Sequence, residues 1–516
     1  MANDNYPQDP GVNIQTNNLD PGAIDLASNM GEFPYPEHRN RITYYQYYEK
    51  LFMGDHFGAF SVVVDDEKYN RAWSKLRYVM ANFAGLVSKV IADFLFSEPI
   101  SIMAGEGGDQ DFIDALVREN NLDIQFYESA LTNSYAGDDL FKIRAGQRNP
   151  WDAVSTVIIE EITPLIYFPK VDGFNVRATP KSQELAWTFT LNRQKYLRKE
   201  IHRDGAIFNE VWLMKGNKIV AQSSPSILNL PEMQATGIKQ PLLTHVPNWK
   251  TGNRFFGISD YHDLDQLFYA INNRLTKNDN ILDKHSDPIL MVPPGVLDEK
   301  GKVKKKALGV IEVENSADGK PEYIVWDASL ENAFKQIEKL VDVLLMTAEI
   351  SPDAFGMGKG QSDSGRALKY KLLRTIAKAA RKKLYYDAKI KEVIFNAQVL
   401  AKTWNLEVGG KRLKGDPVQV EIKWQDGIPV DEREQAEVES IKIDAGVQSK
   451  KGAIMAIDQV DEKNAEQKLK DIEDEKPKVE LPSMNLGNNA GTNKGNMPPK
   501  PGQVPPGQNP NQPPAA

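Results

Sequence analysis

"ASLENAFKQIEKLVDVLLMTAEISPDAFGMGKGQSDSGRALKYKLLRTIAKAARKK", Ala328 to Lys383, joins two helical patterns across a glycine-rich loop. In its first part Leu330, Phe334, Ile337, Val341 and Leu344 recur by threes and fours, which predicts an amphipathic helix. In its last part a very long helix is expected, from about Ser364 to Trp404. Between them lies Gly356-Met357-Gly358-Lys359-Gly360-Gln361. A P-loop needs four residues between its glycines and a hydroxyl residue after Gly-Lys, with a strand leading in. Here Gly360 follows Lys359, the preceding glycine is two residues back, and a helix leads in. Gln361 occupies the place of the third glycine of a dinucleotide fingerprint. In "GQSDSG", Ser364 stands where a nucleophile elbow requires glycine. Ser362, Asp363 or Ser364 instead reads as the cap of the long helix.

That helix carries eight Lys/Arg and no acid from Ser364 to Tyr386, and Lys371, Arg374, Lys378 and Arg381 recur on one face. Two readings stay open. A charge run is commonly a solvated surface. It also suits a wall beside a polyanion, because phosphate contact asks for positive charge and no special spacing.

Outward from this stretch, "ISDYHDLDQLFYAINNRLTKNDNILDKHS" predicts a first long helix with Tyr261, Leu264, Phe268, Ile271, Leu275 and Leu282 on one face. The segment between the two helices reads as strands, Val310–Val313 and Tyr323–Trp326, turned at Asp318-Gly319. Two helices bracketing a strand-rich excursion suggest an antiparallel pair with the insert at its far end. Earlier, Val79, Phe83, Leu86, Val90 and Phe94 predict a helical stripe, and "DFIDALVRENN" a further helix. "DIQFYESALTNSYAG" leads on into a strand at "LFKIRA". "LAWTFTL", "LRKEIHR" and "IFNEVWLM" predict neighbouring antiparallel strands. "PVQVEIKW" reads as a late strand, and the segments after it as a terminal helical unit.

Composition narrows the function. The 516 residues suffice for several hundred-residue units, and 63 basic against 71 acidic side chains leave no global basic field to draw the chain onto DNA. Without cysteine there are no disulfides, thiolate zinc sites or cysteine nucleophiles. The first residues lack the order of a signal peptide, and Lys89 and Asp93 interrupt the most apolar stretch, Phe83 to Phe96, so no membrane partner and a soluble, cytoplasmic-type protein are expected. The six histidines are scattered singly, and "DYHDLD" (Asp260 to Asp265) reads as first-turn carboxylates complementing a helix dipole, so no metal, cofactor or catalytic residue is expected. Lys302, Lys304, Lys305 and Lys306 form a solvated turn or a docking patch. Residues 1–40 and 476–516 are expected to be a disordered arm and a disordered Pro/Asn-rich tail.

The ordered series "YYQYYEKLFMGDH", "ANFAGLVSKVIADFLFSEPI", "YAGDDLFKI", "HVPNWKTGNRFFGISDYHDLDQL", "DPILMVPPG", "LENAFKQIEKLVDVLLMTAEISPDAFG", "SDSGRALKYKLL" and "WQDGIPVDEREQAE" resembles the portal proteins of tailed bacteriophages, especially those of phages and prophages of Gram-positive bacteria. The resemblance implies an α+β portal fold. Residues 41–255 would form a mixed α/β wing, completed by 405–430. An antiparallel helical stem (256–286 and 328–349) would bracket a small strand-rich clip (287–327). A tunnel loop (350–363), a long helix (364–404) at the wing and channel, and a helical crown (431–475) would follow.

The same resemblance implies no enzyme. It implies a homo-oligomeric ring of twelve at one capsid vertex of the virion, assembled in the host cytoplasm, through which double-stranded DNA is packaged and ejected without sequence readout. Its further partners would be the terminase large subunit, the major capsid and scaffolding proteins, and a head-completion or adaptor protein. Gly356 to Gln361 would face the channel, Lys371, Arg374, Lys378 and Arg381 would be candidate DNA-proximal cations, and Lys302, Lys304, Lys305 and Lys306 candidate docking residues. A conduit should carry few lumen cations. A belt of phosphate contacts, each worth a salt slope of about −0.9, would bind too tightly for DNA to slide. The competing classes are a nuclease-like DNA-processing enzyme, which would need converging carboxylates, and a ring-forming scaffold without DNA contact.

Overall fold

Four tyrosines in five residues open the ordered core. Tyr44, Tyr45, Tyr47 and Tyr48 are all buried on helix α1 (Arg39–Phe52), and α2 (His56–Val63) follows. The computed structural model describes residues 31–63, 78–152, 154–252, 254–286, 289–291, 322–324, 330–357, 365–425, 432–458, 460 and 462–474. Lys302, Lys304, Lys305 and Lys306, the loop residues Gly358, Lys359, Gly360 and Gln361, the capping candidates Ser362 to Ser364, strand 310–313 and the tail from 476 lie outside them. The arm expected over 1–40 does not reach residue 40. Phe33 and Tyr35 are buried against Phe168 in edge-on ring contacts, because two large rings so placed gain more from burial than a loose arm gains in entropy.

The chain divides into two units, through Val430 and from Asp431. In the first, α3 (Phe83–Phe96) is capped by Asn82, whose side chain accepts from the Gly85 N–H. Val79 precedes this helix, and its N–H is held by Thr276 Oγ1. The buried face runs through Ala84, Val87, Ile91 and Leu95, while Leu86 points outward. This shifts the stripe expected from spacing, since a helix apolar on most sides offers no contrast from which to choose one.

Strand β1 (Ser101–Ala104), α4 (Gln110–Glu119), α5 (Leu122–Ala136), β2 (Asp138–Gly146) and β3 (Thr156–Ile162) follow. An antiparallel meander then comprises β4 (Tyr167–Lys170), β5 (Ser182–Leu191), β6 (Gln194–Arg203), β7 (Ala206–Lys215) and β8 (Lys218–Ser223), with β9 (Met233–Ala235) also on β7. Two of its tight turns, Asn192-Arg193 and Asp204-Gly205, take positive φ at both central positions, and the Gly216-Asn217 turn takes it at Gly216 alone. β10 (Leu243–Pro247) joins β2 and β3 in the order β10-β2-β3.

Helix α6 (Asp265–Ser286) begins later than its apolar spacing suggests. Tyr261 and Leu264 are buried, but in the turns before it. Strand β11 (Ile289–Met291) pairs antiparallel with β12 (Glu322–Ile324), so the described partner of the strand at Tyr323 is β11. Helix α7 (Leu330–Thr347) packs on α6. After the glycine loop come α8 (Gly365–Lys371) and α9 (Leu373–Trp404), separated only at Leu372, whose N–H still bonds Leu368 O. Short strands β13 (Glu407–Val408) and β14 (Lys411–Arg412) lead to β15 (Val420–Lys423), which returns to pair with β1. One large apolar core unites α1 to α6, the C-terminal end of α7, and α9. The second unit holds α10 (Glu432–Asp444), α11 (Lys450–Asp458) and α12 (Glu462–Asp474). The architecture is mixed α+β.

Candidate functional site

The chain on both sides of the glycine loop is anchored by one buried carboxylate. Asp260 lies in the turn before α6 and is almost wholly buried. Lys382 Nζ donates to its Oδ2 at 2.6 Å and Lys378 Nζ lies 3.2 Å from Oδ1. Ser134 Oγ donates to Oδ2 at 2.7 Å, and Asn248 Nδ2 to Oδ1 at 3.2 Å. Burial alone would raise the pKa of this acid, but the two ammonium groups and the hydrogen bonds outweigh it and hold it well below the usual carboxylate range. Burial also draws the Lys382 ammonium down to about 8, against the opposing pull of Asp260. Lys378 further donates to Ala348 O at 2.8 Å, so α9 is pinned to the end of α7 as well.

The loop leaves this anchor through further pairings. Glu349 takes a left-handed backbone (φ 58°), and its carboxylate meets Arg381 at 2.7 Å and Arg374 at 3.6 Å. The Ser351 N–H donates to Thr375 Oγ1 at 2.8 Å, deep in the core. A 3-10 turn, Pro352–Phe355, is capped by Ser351, and Asp353 reaches Lys371 at 3.6 Å. Gly356 ends the turn at φ 67°, with open space where a Cβ would stand. Met357 is exposed. Both flanks are thus fixed up to Met357 on one side and from α8 on the other.

The four candidate cations of the basic helix therefore differ in character. Lys378 is buried and ion-paired, so the structure removes it from any polyanion-facing surface. The buried side of α9 runs through Thr375, Lys378, Lys382 and Tyr386, at helical spacing, and Lys378 falls on its margin. Lys371, Arg374 and Arg381 each meet a carboxylate of the preceding turn. In "DYHDLD", Asp260 turns to the lysines and His262 Nδ1 shares a 2.9 Å hydrogen bond with the Tyr44 hydroxyl, so the two side chains diverge. No group of three or more His, Cys, Asp or Glu suited to a metal occurs among the described residues.

Sequence reasoning read Asp260 as a first-turn carboxylate, although the helix starts only at Asp265, and passed over Lys382, Asn248 and Glu349. The one legible signal was the pair Lys378 and Lys382, four apart and in register with the apolar positions Tyr386, Ile390 and Val393. Such spacing places lysines on a core-facing side, where they need an acid.

Residues 234–479 match the family model described as "Phage portal protein, SPP1 Gp6-like". No curated protein matches the chain. Among solved structures, a chain of "Virion of native gene transfer agent (GTA) particle" is similar at 13% identity and a TM-score of 0.40, covering 72% of this chain and 89% of that one. A chain of "Neck of empty GTA particle computed with C6 symmetry" is similar at 12% identity and a TM-score of 0.41, covering 73% and 90%. The family match takes in the whole anchor except Ser134, from Asn248 and Asp260 to Glu349 and Lys382, together with the loop it flanks. Through residues 234–479, just under half of its length, this chain is similar to the phage portal proteins of the SPP1 Gp6-like family.

Proposed function

We propose that the chain is the subunit of a portal ring at one capsid vertex, a conduit for double-stranded DNA during packaging and ejection and not an enzyme. The match of residues 234–479 to the portal family carries this reading. In it, 41–255 with 405–430 form the wing, 256–286 and 328–349 the stem, 287–327 the clip, 350–363 the tunnel loop, 364–404 the long helix at the wing and channel, and 431–475 the crown. The clip lysines Lys302, Lys304, Lys305 and Lys306 meet the terminase motor and later the head-completion protein.

Two observations support the reading. Large apolar side chains stand exposed along the helices flanking the loop, Met346 at 74%, Leu384 at 74% and Tyr370 at 66%. A neighbouring subunit repeated around a closed ring would cover them. The cations beside the loop are also largely answered within the subunit, by Glu349 and Asp353. DNA would then meet a weakly charged wall with Lys359 on a glycine-rich loop, which favours sliding over gripping.

Sedimentation of the purified full chain at micromolar concentration tests the assembly. The expected species is a single closed oligomer, and Met346→Asp with Leu384→Asp should shift it toward monomer without loss of helical circular dichroism. A wild-type chain that stays monomeric at low and moderate salt, with or without scaffolding protein, contradicts the proposal.

A further inference from the structure

A cleft of about 450 Å³ opens between residues 176–180, the positions Pro247, Lys250, Thr251, Gly252 and Phe255, and the α9 positions Tyr385, Lys389 and Glu392. Part of its lining is a stack of rings. His245 lies 4.8 Å from Phe255 at 16° and 5.7 Å from Tyr167 at 29°, centroid to centroid. The His245 Nε2 and Asp138 Oδ1 are 2.6 Å apart, and burial lowers the imidazole's pKa against the opposing pull of Asp138.

Three cations line the same space, Arg177, Lys250 and Lys389. Lys389 is answered by Glu392 at 2.8 Å. Lys250 has only the Phe255 carbonyl, at 3.3 Å, and sits 5.5 Å from the centre of that residue's ring. Among the described residues neither Lys250 nor Arg177 forms an ion pair. Arg177 Nη2 lies 3.1 Å from the place a Cβ on Gly252 would take, so the absent side chain leaves the guanidinium room at the rim. Burial pulls the Lys250 pKa down. Asp138 opposes this, while Lys389 and Arg177 add to it, so the positive charges bear on one another across the cleft.

We propose that this cleft binds a small anion that carries a planar ring, with phosphate as its charged group. Arg177 and Lys250 take the phosphate, and the lining rings Phe255 and Tyr385 receive the ligand's ring. Two unanswered cations suit a dianion, and a guanidinium fork suits its paired oxygens. The volume is that of a small-ligand site, and an aromatic wall with a few convergent charged groups is the usual composition of one. Nothing in this proposal depends on ring assembly or DNA passage.

Calorimetric titration of the full chain with phenyl phosphate, at ionic strength matched with sodium chloride, tests it. The expected result is saturable binding, with inorganic phosphate weaker by about tenfold and each of Arg177→Ala and Lys250→Ala weaker by about tenfold or more, the scale of one charge-assisted contact. Gly252→Ala, which keeps both cations but sets a methyl group 3.1 Å from the Arg177 guanidinium, should weaken binding while leaving the unliganded melting temperature unchanged. Absence of saturable heat at millimolar ligand overturns the proposal. So does binding unaffected in both single variants, and equal affinity for inorganic and phenyl phosphate removes the ring subsite.

Discussion

Asp260 and Asp265 stand five residues apart and are driven in opposite directions. Asp260 is held far below its ordinary pKa by Lys378 and Lys382. It therefore adds stability at pH above about 4, which is lost as the pH falls through its native value. Lys382→Met leaves that carboxylate short of one buried partner and should lower stability by about 3 kcal/mol in chemical denaturation at pH 7. A loss under about 1 kcal/mol would show that the anchor is not structural. Asp265 is 3% exposed, accepts one bond from the Gln266 N–H, and has no partner for Oδ2. Burial raises its pKa to about 7, so its contribution is favourable at low pH and falls away as the pH rises from about 4 through 7. Asp265→Asn should therefore raise stability at pH 8.5 by up to about 4 kcal/mol, and by far less at pH 4.5. The opposite pH trend would contradict the assignment. Neither behaviour was legible in "SDYHDLDQL", which reads as a run of first-turn carboxylates. What separates the two acids is the company of residues more than a hundred positions away in sequence, Ser134 and Lys382 among them.

At the scale of elements, the helices and hairpins were the legible part. Apolar residues at three- and four-residue spacing mark α3, α6 and α7, and the alternation in "LAWTFTL", "LRKEIHR" and "IFNEVWLM" marks β5 to β7, because each element has one covered face. The pairing of β15 with β1, about three hundred residues apart, left no local trace. Phe33 and Tyr35 were lost among the Asn, Asp and Pro of the first forty residues. In the candidate site the glycine loop and the basic helix were visible, but which lysine faced inward was not, since charge alone says nothing of direction. The loop tests what its fixed flanks are for. If 356–361 moves as DNA passes, replacing Gly356, Gly358 and Gly360 together by alanine should slow packaging more than Lys359→Ala, with ring formation unchanged for both. Gly356 has open space for a methyl group, so any penalty there is backbone strain at φ 67° and not a clash. Full packaging by the triple variant would exclude a moving loop, and failed rings would make the glycines a structural turn.

For the whole molecule, the acidic balance and the intramolecular pairing of the basic helix point the same way. A subunit that neutralises its own cations can be repeated around an axis without building a trap for phosphate. Under the proposed ring, the exposed apolar residues of α7, α8 and α9 would give such repetition its driving force. Electron cryomicroscopy of the purified full chain measures this most directly. The account predicts a closed ring with an axial channel, residues 356–361 at its wall, and the Asp260–Lys382 contact buried within every subunit. Particles without an axial channel, or a ring whose channel is lined by other segments while 356–361 faces outward, would contradict it.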